Sequence, residues 1–233
     1  MRPLVFLHGL GCAPRQWRFQ REHFSRRPAL APLLPGHGGT APPPYVAEAI
    51  AAAVWSAVHA WTDEPVVLVG HSIGGNLAAV MAGVEPRAVA GLVLADPTGD
   101  LRKAEPAELA EIDGRLRPEN YPRRVREWFA DEMKTTAPGL RSEILEDLAS
   151  LPREVFAGYW GAFRRADALG PLQARQGRAL CIESAGSREP YLFQRLLPGL
   201  RCQTLPAGHW LHLDRPAEFN AALERFLADT NLG

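Results

Sequence analysis

Apolar residues fall into short continuous blocks that are separated by glycine, proline and charged residues. Residues 3–7 read PLVFL, residues 65–69 read PVVLV and residues 89–95 read VAGLVLA, each without a charged side chain. Unbroken apolar runs of this length are typical of strands that are buried on both faces of a sheet. Weaker runs of the same kind begin the stretches ALAPLLPGHGGT, RALCIES and RCQTLPAGH.

Between these runs, apolar residues recur at the spacing of an α-helix. In the alanine-rich stretch 46–61, apolar residues recur at intervals of four and then three, at Val46, Ile50, Val54, Val58 and Trp61. Near the C-terminus, one side of a helix carries Phe219, Leu223, Phe226 and Leu227. Because strands alternate with helices, we predict an α/β fold with a mostly parallel sheet and helices on both of its faces.

The segment 97–169 interrupts this alternation. It is rich in charge, lacks strand-like runs, and is divided into helical stretches by RPENYP, TAPG and LPRE. We interpret it as a helical cap inserted into the core, so that residues 1–96 and 170–233 form the core domain. Aromatic residues gather in this cap, among them Trp128 and Trp160. They either fix the cap to the core or line an apolar pocket.

The composition argues against several classes of partner. The 233 residues include 26 basic and 26 acidic side chains, so neither nucleic acid nor an anionic membrane is an expected partner. The opening MRPLVFLHG lacks a signal-peptide pattern, which favours a cytoplasmic protein. Three scattered cysteines favour neither a disulfide framework nor a zinc site. Since no metal or phosphate-binding motif stands out, we expect no cofactor and no metal.

The second apolar block leads directly into Gly-His-Ser-Ile-Gly at residues 70–74. This matches G-x-S-x-G, in which a strained strand-to-helix turn exposes the serine as a nucleophile. Residues two before and two after the serine must be small, because larger ones would collide in so sharp a turn. A strand-like run precedes the motif and a helical pattern follows it, so Ser72 is the predicted nucleophile.

A serine nucleophile requires a base, and that base requires an acid partner. His209 lies on a predicted loop between the last strand and the final helix, which gives the expected chain order of serine before histidine. His212 is the rival base. We expect structural hydrogen bonds from His8 and His37, and we expect His71 to pack behind the serine.

Four segments resemble the α/β-hydrolase family of the small, capped kind. They are FLHGLG, LLPGHGGT, VGHSIGG and AGHWLHLDRPAEFN, in that order. The resemblance implies an α/β-hydrolase fold in which the backbone N–H groups of Leu10 and Ile73 form the oxyanion hole. It also implies that Trp17 lies near the pocket, although core packing would explain this residue equally well.

The acid partner has two candidates. The family usually carries it in a Gly-x-x-Asp turn after the strand that corresponds to RALCIES, but this chain reads SAGSREP there. Glu189 is the carboxylate in a comparable place. Some relatives place the acid one strand earlier, where Asp96 follows VAGLVLA. We favour Asp96 over Glu189, and Glu183 and Asp100 are less favoured still.

The function expected from this resemblance is hydrolysis of small, mainly apolar carboxylic esters through an acyl-enzyme intermediate. The small-molecule ester would contact Trp17, Trp128, Trp160 and Trp210. Carbon–carbon bond hydrolases, lactonases and perhydrolases use the same triad and are alternatives. A non-catalytic small-molecule receptor of the same fold is another alternative, because the loop that usually carries the acid lacks the Gly-x-x-Asp turn.

Overall fold

The protein is built around one sheet, described here from a computed structural model that covers residues 1–233 apart from the side chain at position 176. In these residues the strands are β1 (Leu4–Leu7), β2 (Ala29–Leu30), β3 (Val66–His71), β4 (Val89–Ala95), β5 (Ala179–Ser184) and β6 (Arg201–Leu205). They lie in the order β2-β1-β3-β4-β5-β6, and each neighbouring pair is parallel. The predicted parallel sheet is therefore confirmed.

The position of each strand in the sheet explains its sequence. Every residue of β1, β3 and β4 is buried, and these central strands are apolar except for His71 at the end of β3. At the edge, β6 has exposed side chains at Arg201, Cys202 and Thr204, which accounts for its weaker apolar pattern. The other edge strand, β2, is only two residues long.

Helices occupy most of the chain between the strands. The α-helices are α1 (Arg18–His23), α2 (Ala47–His59), α3 (Ile73–Val84), α4 (Pro106–Arg115), α5 (Arg123–Glu132), α6 (Pro138–Ala149), α7 (Arg153–Phe163), α8 (Leu169–Gln173), α9 (Phe193–Leu196), α10 (Leu211–Asp214) and α11 (Pro216–Asp229). Short 3₁₀ turns include Pro14–Trp17, His37–Gly39, Pro86–Ala88 and Leu101–Lys103. Among the helices of the described residues, none has the length and apolar character needed to cross a membrane.

Two hydrophobic clusters cover the two faces of the sheet. Alternate residues of β1 point to opposite faces, so Val5 and Leu7 belong to one cluster and Leu4 and Phe6 to the other. The first cluster contains the buried side chains of α2, α3 and the helices between β4 and β5. The second contains buried side chains of α11, including Phe226. Helices on both faces are therefore confirmed.

Helix α2 is shorter than its sequence pattern suggests. Ile50, Val54 and Val58 are buried, as predicted from the spacing. Val46 precedes the first residue of the helix and is 53% exposed, while Trp61 follows its last residue and is also exposed. Including these two residues in the helical pattern was wrong, because both lie beyond the ends of the helix.

The segment 97–169 contains α4, α5, α6 and α7 and the start of α8, in agreement with the predicted helical stretches. Its helices lie between β4 and β5 along the chain. Buried residues such as Ile144 and Phe156 belong to the same hydrophobic cluster as α2 and α3. The division into a core and a separate cap stays a prediction.

Candidate active site

Ser72 occupies the sharp turn between β3 and α3. Its backbone has φ 54° and ψ −125°, a conformation that residues other than glycine rarely adopt. A Cβ atom on Gly70 would lie 2.1 Å from the carbonyl oxygen of Gly74. A Cβ atom on Gly74 would lie 2.5 Å from the carbonyl oxygen of Leu7. Both positions therefore require glycine, which is the physical reason for the G-x-S-x-G spacing.

His209 lies on the loop between β6 and α10, with 22% of its side chain exposed. Its Nδ1 is 2.7 Å from Oδ2 of Asp96. Because an ionised carboxylate can only accept hydrogen bonds, Nδ1 carries a proton and donates it to this contact. In the neutral ring, Nε2 is then free to accept a proton from another group. His209 and Ser72 line the same cavity.

Asp96 directly follows β4, where its backbone has a positive φ of 45°. The residue is 7% exposed, and its Oδ1 accepts hydrogen bonds from the backbone N–H of Ser184 at 2.8 Å and from Oγ of Ser187 at 2.7 Å. Burial alone would raise the pKa of Asp96. The hydrogen bond and charge of His209, together with the two serine donors, outweigh burial and hold this pKa below its ordinary value.

Glu189, the other candidate acid, is exposed and lies at the margin of the same cavity. Its Oε2 accepts a hydrogen bond at 2.9 Å from the backbone N–H of its neighbour Arg188. The carboxylate that contacts the ring of His209 is that of Asp96. The geometry therefore distinguishes between the two positions that the sequence left open.

The two less favoured carboxylates are bound elsewhere. Glu183 is buried and accepts a hydrogen bond at 2.8 Å from the hydroxyl of Thr204 on the neighbouring strand. Asp100 is buried and forms an ion pair at 2.8 Å with Arg102. Both side chains therefore have structural partners away from His209.

The electrostatic surroundings of His209 favour its protonated form. Burial opposes the positive charge and would lower the pKa of the ring. The hydrogen bond and charge of Asp96, followed by the charges of Glu132 and Asp214, reverse this effect and raise the pKa above its ordinary value. A ring with a raised pKa is a stronger base, which suits it to removing a proton from a hydroxyl group.

His71 packs behind the turn, as expected, and also contacts the histidine loop. Its Nε2 donates a hydrogen bond at 2.9 Å to the backbone carbonyl of His209, and the two ring centroids are 4.6 Å apart. Burial, followed by the charges of His209 and His212, lowers the pKa of His71 far below its ordinary value. A neutral His71 ring therefore helps to hold the loop that carries His209.

The remaining buried histidines are structural. His8 accepts a hydrogen bond from the backbone of Leu34, and His37 accepts one from the backbone of Gly11. His212, the rival base, stacks on an indole ring, and burial is the main cause that lowers its pKa to about 3. In the part of the chain that the structure describes, no three His, Cys, Asp or Glu side chains are grouped so as to hold a metal ion.

A cavity of about 580 Å³ opens beside Ser72 and His209. Leu10 and Ile73, whose backbone N–H groups are the expected oxyanion donors, both line it. Ile73 is the first residue of α3, so its N–H group has no acceptor within the helix and lies at the positive end of the helix dipole. The walls include apolar side chains from the helices between β4 and β5, among them Ile112, Phe129 and Phe156.

Three of the four predicted substrate-binding tryptophans line this cavity, namely Trp128, Trp160 and Trp210. Trp17 is not among the described lining residues, and the prediction that it contacts substrate is wrong. Its ring is fully buried in the second hydrophobic cluster, stacked 4.3 Å from His212 and 5.1 Å from Phe6. Packing against the opposite face of the sheet therefore explains Trp17.

Sequence reasoning missed the two serines that bind Asp96. Ser184 ends β5, and Ser187 follows it in the segment SAGSREP, where the family usually carries its acid. The position of this segment in the sequence could have indicated the contact with Asp96, because the carboxyl ends of neighbouring parallel strands meet at one edge of the sheet. A backbone N–H from Ser184 and a hydroxyl from Ser187 at that edge can both donate to an acid that follows the neighbouring strand.

The sequence of this chain is also similar to sequences of known proteins. A model of the alpha/beta hydrolase family matches residues 4–222. Lipase LipV of Mycobacterium tuberculosis is 29% identical to this chain over 244 residues, covering 94% of this chain and 91% of the lipase. The 2-succinyl-6-hydroxy-2,4-cyclohexadiene-1-carboxylate synthase of Serratia proteamaculans is 28% identical over 243 residues, covering 97% of this chain and 93% of the synthase.

Solved structures share the fold. The enol-lactonase of Burkholderia xenovorans LB400 superposes with a TM-score of 0.81 at 20% sequence identity, covering 97% of this chain and 91% of the lactonase. A thermophilic esterase from Thermogutta terrifontis gives the same TM-score at 22% identity, covering 99% of this chain and 90% of the esterase. At these sequence identities, the structural similarity shows a shared fold.

Proposed function

The chain belongs to the alpha/beta hydrolase family, and we propose that it is a serine hydrolase that cleaves small, mainly apolar carboxylic esters. The observation that carries the proposal is the 2.7 Å contact between Nδ1 of His209 and the buried Asp96, in a cavity that Ser72 also lines. This contact fixes the tautomer that a general base requires. A receptor without catalysis would have little use for it.

In the proposed mechanism, Oγ of Ser72 attacks the ester carbonyl carbon while Nε2 of His209 takes the hydroxyl proton. The tetrahedral oxyanion accepts hydrogen bonds from the backbone N–H groups of Leu10 and Ile73. Asp96 stabilises the resulting imidazolium ion without taking its proton. His209 then gives that proton to the departing alcohol, which leaves an acyl group on Ser72.

Water completes the reaction by the same steps. His209 removes a proton from a water molecule, which attacks the acyl carbonyl carbon. The oxyanion forms again beside the backbone of Leu10 and Ile73, and the proton on His209 passes to the departing oxygen of Ser72. The products are the carboxylic acid and the free serine, so the protein returns to its starting state.

The character of the cavity supports a small apolar substrate. We assign the helical segment 97–169 to a cap, and its residues Trp128 and Trp160 supply aromatic walls beside those of Trp210 and Phe129. A volume of about 580 Å³ suits a ligand of a few tens of atoms at most. Burial of an acyl chain against these walls would stabilise its complex by about 0.8 kcal/mol per CH₂ group.

The charges around the cavity argue against a substrate with several carboxylates. Arg115 lines the cavity but pairs with Glu111 at 2.6 Å, and its guanidinium lies over the ring of Trp128. Lys134 pairs with Asp131 at 3.4 Å. Since acidic residues balance both of these cations, a neutral ester fits the cavity better than a dianion.

The test is turnover of p-nitrophenyl esters by the wild-type protein and by Ser72→Ala. The proposal predicts that short acyl chains are hydrolysed and that Ser72→Ala abolishes the activity, because no other group would form the acyl intermediate. Ser56→Ala, which removes an exposed hydroxyl on α2, is the matched control and should keep wild-type activity. Retained turnover in folded Ser72→Ala would refute the assignment.

A further inference from the structure

Strand β5 and the loop that follows it fix Asp96 by three contacts that the catalytic assignment does not itself require. The backbone N–H of Asp96 donates to the carbonyl of Ile182 at 2.8 Å. The backbone N–H of Ser184 and Oγ of Ser187 both bind Oδ1 of the carboxylate, at 2.8 Å and 2.7 Å. Asp96 directly follows β4 along the chain, but these contacts come from the neighbouring strand β5 and its loop.

The hydrogen bonds of the two serine hydroxyls have a defined direction. An ionised carboxylate has no proton to give, so the hydroxyl of Ser187 must donate to Oδ1 of Asp96. The oxygen atoms of Ser184 and Ser187 are 2.9 Å apart. Because the proton of Ser187 is already used, Ser184 donates across this contact. The result is a directed chain from Ser184 through Ser187 to Asp96.

This chain of hydrogen bonds affects the orientation of the catalytic carboxylate. Oδ2 of Asp96 meets His209 only if the carboxylate keeps one rotation about its side-chain bonds. Two donors on Oδ1 hold that rotation, and they act on a residue that is 7% exposed, where water cannot easily replace a lost partner. The backbone N–H of Ser184 survives any side-chain substitution, so the hydroxyl of Ser187 is the part of this support that depends on sequence.

We propose that Ser187 is a positioning residue, whose hydroxyl holds the carboxylate of Asp96 so that Oδ2 stays on Nδ1 of His209. The inference rests on the proposed serine-hydrolase function and adds a residue to it. In this protein the end of β5 and the loop after it supply hydrogen-bond donors, and the acid itself directly follows β4. Ser187 acts through Asp96 and does not react with substrate.

The test is a double-mutant cycle between Ser187→Ala and Asp96→Ala. The rate of acylation is measured in single turnovers with excess enzyme and a p-nitrophenyl ester. Loss of a hydrogen bond to a buried charge predicts that Ser187→Ala alone lowers the acylation rate about tenfold with little change in KM. In the Asp96→Ala background the same substitution should change the rate by less than about twofold, because its target is gone.

Each outcome of the cycle has a clear meaning. Wild-type acylation by Ser187→Ala would overturn the inference, and so would a tenfold loss that recurs in the Asp96→Ala background. A raised KM with unchanged kcat would instead assign Ser187 to substrate contact, since this residue also lines the cavity. Ser187→Thr, which keeps the hydroxyl, should restore most of the rate, and Ser56→Ala should match the wild type. If the wild type hydrolyses no ester, the function itself fails.

Discussion

The loops after β4 and β5 both carry a carboxylate beside the same cavity, but only one of them faces His209. Asp96, after β4, is 7% exposed and accepts hydrogen bonds from Ser184, Ser187 and His209. Glu189, after β5, is exposed and accepts a hydrogen bond from the backbone of the adjacent residue. The two positions therefore differ in burial and in the number of donors that surround them.

This difference shows what a buried acid requires. Moving a carboxylate out of water is costly unless donors replace its hydration, and an exposed carboxylate is screened by solvent and salt. The last residue of β5 and the loop after it provide those donors to Asp96, whereas Glu189 in the same loop stays exposed. A charge that is desolvated and held 2.7 Å from an imidazole ring acts on that ring far more strongly than an exposed one.

The largest expected effect separates the two carboxylates directly. Asp96→Asn should lower kcat by a factor on the order of 10⁴, because an amide can donate to Nδ1 and so stabilise the wrong tautomer of His209. Glu189→Gln should leave kcat within about twofold of the wild type, since an exposed charge contributes little. Steady-state kinetics on one p-nitrophenyl ester checks both variants. A large loss in Glu189→Gln with normal activity in Asp96→Asn would reverse the assignment.

The pH dependence of kcat/KM should also distinguish Asp96 from Glu189. The pKa of His209 is raised above the ordinary histidine value of 6.5, so kcat/KM of the wild type should fall as the pH drops through a value above 6.5. Asp96→Asn removes the negative charge but keeps the burial, and the midpoint should therefore move to lower pH. Glu189→Gln should keep the wild-type midpoint. A midpoint that stays fixed in Asp96→Asn would contradict the proposed pair.

A smaller effect concerns the packing between the two loops. Gly99, in the loop after β4, has φ +79°, and a Cβ there would lie 2.6 Å from the carbonyl oxygen of Tyr191 in the segment after β5. Gly99→Ala should lower the free energy of unfolding by about 2 kcal/mol or more, through strain and collision. Gly186→Ala is the matched control, because its Cβ would meet no atom within 4 Å. Urea unfolding of both variants measures the difference, and equal stabilities would refute the close contact.

The central sheet could be predicted from the sequence because its strands are buried on both faces. The residues of β1, β3 and β4 have no solvated side, so their apolar runs are continuous. The ends of helix α2 were misjudged because spacing alone does not mark where a helix begins, and Val46 lies one residue before it. The two-residue strand β2 offers almost no pattern of its own.

Part of the candidate site could also be predicted. The glycines around Ser72 are required by steric contacts within the turn, so the local sequence contains the signal. The partner of His209 depends instead on which strands are neighbours, and β4 lies beside β5 only in the folded sheet. Ser187 was missed and Trp17 was placed wrongly for the same reason, since a hydroxyl or an indole ring does not reveal which face or edge of the sheet it will occupy.

The most direct test of an activated serine is covalent labelling with a fluorophosphonate probe, followed by mass spectrometry of the modified peptide. We expect modification of the wild-type protein at Ser72, none in Ser72→Ala, and much slower modification in folded Asp96→Asn, because the base must remove the hydroxyl proton in this reaction as well. If the folded wild-type protein did not react at Ser72, or if folded Asp96→Asn reacted equally fast, Ser72 would not be a nucleophile activated by His209 and Asp96.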